Sequence, residues 1–147
     1  MSLEVKIERV ERDVILALRR QVLNGPDSHV ASLSQDLAPA TRHWATWMGG
    51  AVVACVSVMR LRGWALRGMA VSVKHQRQGV GARLLDFVCA EVDAPMWCNA
   101  RLETVSFYSQ LGWAEVGPIF SMQERQPHQR MTWRPSTDGG IPREIEG

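Results

Sequence analysis

The residues best placed to do chemistry form one short run, Gln76-Arg77-Gln78-Gly79-Val80-Gly81, with Ala82 behind it. The run stands between an apolar, strand-like segment, Trp64 to Val73, and a helical one, Arg83 to Val92. Glycines at 79 and 81, placed at such a junction, let the backbone turn tightly and aim several N–H groups at one point. That point coincides with the positive end of a helix dipole, so the run suits an anion, most naturally a phosphate. Neither the P-loop spacing with its Lys-Ser/Thr nor the GxGxxG dinucleotide fingerprint is present. A nucleoside-triphosphate enzyme is disfavoured on that ground and by the lack of an acidic metal site. His29, His43, His75 and His128 are scattered, and no metal is expected. Cys55, Cys89 and Cys98 lie in apolar surroundings without CxxC spacing and read as buried thiols of a reducing compartment.

The elements that must position this run can be read from periodicity. Leu3 to Val10 alternates apolar and charged residues, the pattern of a half-buried strand. Val14, Leu16, Leu18, Val22 and Leu23 mark an amphipathic helix ending near Asn24-Gly25-Pro26. Asp27 to Pro39 is polar and reads as a loop, with room for a short helix over His29 to Leu33. Arg42 to Met48 and Ala51 to Met59 flank Gly49-Gly50, a hairpin signal. A turn at Arg62-Gly63 leads into the strand Trp64 to Val73. After the glycine run, Leu84, Leu85, Val88 and Cys89 line one helix face, and Asp93-Ala94-Pro95 ends it. Met96 to Ala100 is a short strand, Glu103 to Leu111 a helix closed by Gly112. Trp113 to Phe120 and Gln129 to Trp133 form a last strand pair around a polar excursion. The six tryptophans mostly occupy strand positions and read as packing residues.

The chain has 147 residues, enough for one domain with a substantial core and no need of disulfides or metal. We take residues 1–147 as that domain, with its core over about 3–133 and a loose tail over 134–147. The net charge of +2 leaves no nucleic-acid footprint. No apolar stretch approaches the ~20 residues of a membrane span, and no signal-peptide core opens the chain. A cytoplasmic protein is expected.

Two blocks make the pattern specific. Met69-Ala70-Val71-Ser72-Val73-Lys74-His75-Gln76-Arg77-Gln78-Gly79-Val80-Gly81 is similar to the central strand and pyrophosphate loop of the GNAT N-acetyltransferase superfamily. Phe107-Tyr108-Ser109-Gln110-Leu111-Gly112-Trp113 resembles that family's late Phe-Tyr-x-x-x-Gly-Phe helix end. Cys98-Asn99-Ala100-Arg101 and Pro127-His128-Gln129-Arg130-Met131 are similar to the ElaA-like branch, although Arg125 and Gln126 stand where that branch carries glycine and isoleucine. Where many members place Asn seven residues before the tyrosine, this chain has Arg101.

The resemblance implies an α/β GNAT fold: a single mixed sheet of about six to seven strands, helices on both faces, and a splayed central strand pair at the acyl-CoA site. It implies acetyl-CoA as co-substrate, with Met69, Ala70 and Val71 meeting the pantetheine arm through backbone. Gln76, Arg77, Gln78, Gly79, Val80, Gly81 and Ala82 would hold the diphosphate, and Asn99 is a further contact. Gly81→Asp is expected to abolish CoA binding by pushing a carboxylate into the phosphate contact. Tyr108, the only tyrosine, corresponds to the general acid that protonates the departing thiolate. The base is open among Glu103, His43, Asp36 and His128; imidazole titrates in the range such work needs, and His128 is taken as the candidate. The implied reaction is transfer of acetyl to a primary amine, small-molecule or peptide, by direct attack in a ternary complex. The alternative is a non-catalytic acyl-CoA sensor or docking module on the same fold. A homodimer is among the assemblies left open.

Overall fold

The computed structural model describes residues 4–22, 40–121 and 126–136; the polar segment Asp27 to Pro39, with Asp36, and the tail beyond 136 lie outside them. In chain order the elements are β1 (Val5–Val10), α1 (Arg12–Val22), β2 (Arg42–Met48), β3 (Ala51–Arg60) and β4 (Trp64–Val71). A 3-10 turn (Val73–His75) then leads to α2 (Val80–Val92) and β5 (Met96–Arg101). A second 3-10 turn (Leu102–Thr104) precedes α3 (Val105–Gln110), β6 (Ala114–Ser121) and β7 (Pro127–Trp133). Among the described residues they form one seven-stranded sheet, ordered β1-β2-β3-β4-β5-β7-β6. Every neighbouring pair is antiparallel except β4 and β5.

Gly49 and Gly50 both have positive φ, 59° and 80°, which two-residue turns need to match strand twist; beyond Trp47–Val52 the β2–β3 register shifts by one residue, to Thr46–Ala54, Ala45–Cys55 and Trp44–Val56. That register splits the strands into two faces. Trp44, Ala54, Val56, Val58 and Leu66 pack with Leu84, Leu85 and Val88 of α2 and Tyr108 of α3. Ala45, Cys55 and Ala70 point the other way and pack under Ile15 and Leu18 of α1. Helices therefore cover both faces, as expected. Ile15 and Leu18 are almost wholly buried, each contributing about 1.5–3 kcal/mol through apolar burial.

Several boundaries differ from the sequence reading, and three of them lie near the site. The central strand stops at Val71, not Val73, because the chain tightens into the 3-10 turn. α2 begins at Val80, so the second half of the glycine run is already helix. β7 begins at Pro127, two residues before the expected Gln129, because Pro127 pairs with Ser121 of β6 and His128 with both Phe120 and Arg101.

The feature that shapes the molecule lies in the middle of β4. Ser57 pairs with Arg67, but Cys55 pairs with Ala70, so β4 carries one residue more than β3 over this stretch. The extra length sits at Gly68-Met69, and Gly68 adopts a φ of 65°. Such a bulge bends a strand and deepens its twist. On its other side β4 pairs with β5 only at Trp64–Met96 and Ala65–Trp97. From Leu66 onward the two strands part, leaving a gap in the centre of the sheet.

Candidate functional site

At the end of β4, Arg77 and Gly79 both take left-handed backbone, with φ of 64° and 79°. The loop is pinned from below by His75 N–H to the Ser72 carbonyl, 2.8 Å, and the first N–H to return to α2's own turn is Arg83, to Gly79 O at 3.1 Å. Among the described residues, the N–H groups of Arg77 to Ala82 have no backbone acceptor. They stand at the positive end of a helix 13 residues long, an arrangement that binds anions through backbone alone. The two glutamines brace the loop itself: Gln76 Nε2 donates to Val71 O at 2.9 Å and Gln78 Nε2 to Lys74 O at 3.1 Å.

The two glycines do different jobs. A Cβ on Gly79 would meet nothing within 4 Å, so this glycine serves the left-handed backbone and leaves open space above the amides. A Cβ on Gly81 would stand 3.2 Å from Val71 Cγ2, 3.3 Å from Met69 Cε and 3.5 Å from Phe107 Cζ. Gly81 therefore lets α2 approach β4 and α3 closely. This corrects the expectation for Gly81→Asp: its carboxylate would press into apolar side chains, not into a phosphate.

Beside the loop, Ala70 and Val71 are held by β3 on one side, and on the other they face the gap. Met69 and Val71 pack against the cluster that contains Tyr108. Tyr108 is buried, with Phe107 edge-on at 5.1 Å and Trp113 at 5.4 Å. Its own carbonyl accepts from Leu111 and Trp113, which closes α3 at Gly112. No hydrogen-bond partner for its hydroxyl stands among the described residues. Burial first, then the neighbouring Cys98, raises its pKa, so the phenol stays protonated.

Asn99 and His128 lie on the opposite face. Cys98 pairs with Met131 on the Tyr108 side, whereas Asn99 pairs with Arg130 and Arg101 with His128 on the other. Asn99 Oδ1 accepts from Arg130 Nε at 2.8 Å, and the Arg130 guanidinium lies 4.2 Å over Trp97. His128 stacks near Phe120 at 6.1 Å, and its Nδ1 is out of solvent with no protein partner. Tyr108 and His128 are thus not brought together on one face; they flank the sheet from its two sides. Glu103 is exposed in the 3-10 turn after β5, and Asp36 lies outside the described residues. His43 is buried, with Nδ1 2.7 Å from Ser57 Oγ, which places it in a structural network and not beside the gap.

That network is what sequence reasoning missed. Arg19, 1% exposed, reaches from α1 to donate to Gly68 O at 3.2 Å and to Ser57 Oγ. A Cβ on Gly68 would collide with its guanidinium, so the bulge and the arginine require each other. The signal was available: Ile15, Leu18 and Arg19 share the i, i+3, i+4 stripe that α1 buries.

The three cysteines are free and buried. Burial pushes Cys89 and Cys98 up to about 12, and Cys55 also upward, so none is a ready thiolate. Among the described residues no group of His, Cys, Asp and Glu is placed to hold a metal, and no helix is long and apolar enough to cross a membrane.

Comparison with known proteins adds to this geometry. Residues 18–135 match the family described as an acetyltransferase (GNAT) domain. The chain is 27% identical over 133 residues to the uncharacterized N-acetyltransferase YitI of Bacillus subtilis (strain 168), covering 82% of this chain and 88% of that protein. The crystal structure of Escherichia coli ElaA superposes with a TM-score of 0.76 at 18% identity, over 89% of this chain and 100% of that one. An aminoglycoside 6'-N-acetyltransferase complexed with coenzyme A superposes with a TM-score of 0.69 at 16% identity, over 94% of this chain and 98% of that one.

Proposed function

The chain belongs to the GNAT acetyltransferase family and is an acyltransferase, and from that premise we propose that it transfers acetyl from acetyl-CoA to a primary amine by direct attack in a ternary complex. The observation that carries this reading is the continuity of unpaired backbone. Free amides at the start of α2 lead onto the open edge of β4, and that edge leads to the buried phenol of Tyr108.

The residues present fit a diphosphate, because the amides of Arg77 to Ala82 have no backbone acceptor and a Cβ on Gly79 would meet only open space. The open edge of β4 at Met69, Ala70 and Val71 offers hydrogen bonds to the pantetheine arm. One of its amides would meet the thioester oxygen as that atom gains charge. When bound, acetyl-CoA supplies an activated acyl carbon and a thiolate leaving group. The new C–N bond forms as the C–S bond breaks. Tyr108 donates its proton, or a strong hydrogen bond, to the departing sulfur; its raised pKa keeps that proton in place across the working range. His128, with Nδ1 unpartnered on the far side of the gap, takes the proton that the amine loses. Three free thiols fit a cytoplasmic setting.

The test is thiol release from acetyl-CoA with a panel of amines, alongside calorimetry with CoA. Amine-dependent release is expected. Binding of CoA without any release would favour the non-catalytic module instead.

A further inference from the structure

We infer that the acceptor amine carries an anionic group, a carboxylate or a phosphate, held by Arg130 and Arg101 on the face of the sheet opposite Tyr108. This rests on the acyl-transfer reading above. The gap opens after Ala65 and Trp97, so the next residues of β5 on that face, Asn99 and Arg101, border it directly. Their partners on β7 are Arg130 and His128, and the β6 partners of these two are Val116 and Phe120. β4 contributes Arg67 and Ala70 to the same face. Among the described residues, no carboxylate stands on this face of β4, β5, β6 or β7.

The arrangement is built and not merely basic. Arg130 spends only Nε on Asn99, and Trp97 supports its guanidinium from below. The planar end is thereby fixed for a bidentate oxyanion contact. Arg101 is exposed beside it and makes no ion pair among the described residues. The unpartnered Nδ1 of His128 stands two residues from Arg130 on the same face of β7, with Arg101 of β5 between it and the gap. An acceptor anchored there by its anion would hold its amine toward the gap that Asn99 and Arg101 border. A polycationic acceptor would meet repulsion from two guanidinium groups.

The test compares matched pairs that differ in one group: phenylalanine against phenethylamine, O-phosphoethanolamine against ethanolamine, with cadaverine as the dication. Rates of acetyl transfer, corrected for the free-amine fraction, are expected to favour one anionic member by about 10–100-fold, the usual worth of a hydrogen bond to a charged group. The pair that shows the preference identifies carboxylate or phosphate. Arg130→Gln and Arg101→Gln should each erode that preference, and Arg130→Lys should restore part of it. Because Arg130 also orders Asn99, the exposed Arg101 provides the variant least able to disturb folding. Calorimetry with N-acetylphenylalanine and N-acetyl-O-phosphoethanolamine against their neutral counterparts reads the anion site without turnover. Anion-selective binding that the arginine variants abolish would uphold the inference even if no amine were acetylated, in which case the acyl-transfer reading alone would fall. Equal rates across each pair, or product binding indifferent to the anion, would overturn it while leaving acetyl transfer standing.

Discussion

The two faces of the sheet at the gap are built from different materials. In the reading proposed above, the machinery on the α2 face is backbone: amides at a helix start, an unpaired strand edge, and glycines whose value is what they lack. On the α1 face it is side chains: Arg130, Asn99, Arg101 and His128, each fixed by a particular neighbour or register. Backbone geometry survives wide sequence change, which is why structures at 16–18% identity share this fold. Side-chain chemistry does not survive it. If the proposed function holds, the contrast teaches where to look for the acyl donor, in backbone, and for the acceptor, in side chains.

The comparison breaks first at the glycines. Gly81→Asp should lose several kcal/mol of stability, about 3 or more, because a carboxylate would be buried against Val71, Met69 and Phe107 without a partner; urea unfolding measures this. Gly79→Asp should remain folded, at a cost of about 1–2 kcal/mol for its left-handed backbone. It should nevertheless lose at least about 100-fold in CoA affinity by calorimetry, since like charges at a binding face cost several kcal/mol. If Gly79→Asp bound CoA normally, the amides of the α2 start would not be the diphosphate site.

Arg19→Met asks whether the α1 face supports the backbone machinery opposite. It leaves Gly68 O and Ser57 Oγ without their buried donor and should cost about 2–4 kcal/mol. Turnover should fall further than CoA affinity, because the bulge sets the edge of β4 and the α2 start lies beyond it. Unchanged kinetics in a stable variant would show the bulge to be self-supporting.

Tyr108→Phe keeps the ring between Phe107 and Trp113 and removes only the hydroxyl. Turnover should drop by roughly 10–1000-fold, toward the lower end since a thiolate departs readily, with little change in CoA affinity. Wild-type rates with a good acceptor would return Tyr108 to a packing role.

The smallest effect is zero at neutral pH. Cys98 lies on the Tyr108 face of β5: burial raises its thiol to about 12 while Arg130 draws it down. A raised acid keeps its proton in the fold and loses it when unfolded. Its contribution is therefore complete below pH 9 and disappears as pH rises toward 12, by at most about 1.4 kcal/mol per unit. Replacing Cys98 with alanine should flatten the alkaline limb of a stability–pH curve; an unaltered limb would mean the thiol is open to solvent.

Much of this was legible because it is local. Gly49-Gly50 announced the hairpin, the alternation in β1 its half-burial, and the Gly79–Gly81 run the strand-to-helix turn. The bulge was not, although an isolated glycine inside a strand pattern is a sign of one: Gly68 was absorbed into the run Trp64 to Val73. Its cause, a guanidinium arriving from 49 residues earlier, is a long-range contact that periodicity cannot carry. The facing of Asn99 and His128 away from Tyr108 was likewise hidden, since it depends on how β7 inserts between β5 and β6.

The seam between β4 and β5 has a consequence for how the molecule breathes. Among the described residues, four strands, β1 to β4, and three, β5 to β7, are joined within the sheet by only two register pairs. In native-state hydrogen exchange, the amides of β4 beyond Ala65 and of β5 beyond Trp97 should open at lower free energy than those of the β2–β3 pair. A ligand lying along the seam would act as a missing strand. It should slow exchange there above all, and raise the melting temperature in proportion to the logarithm of its concentration.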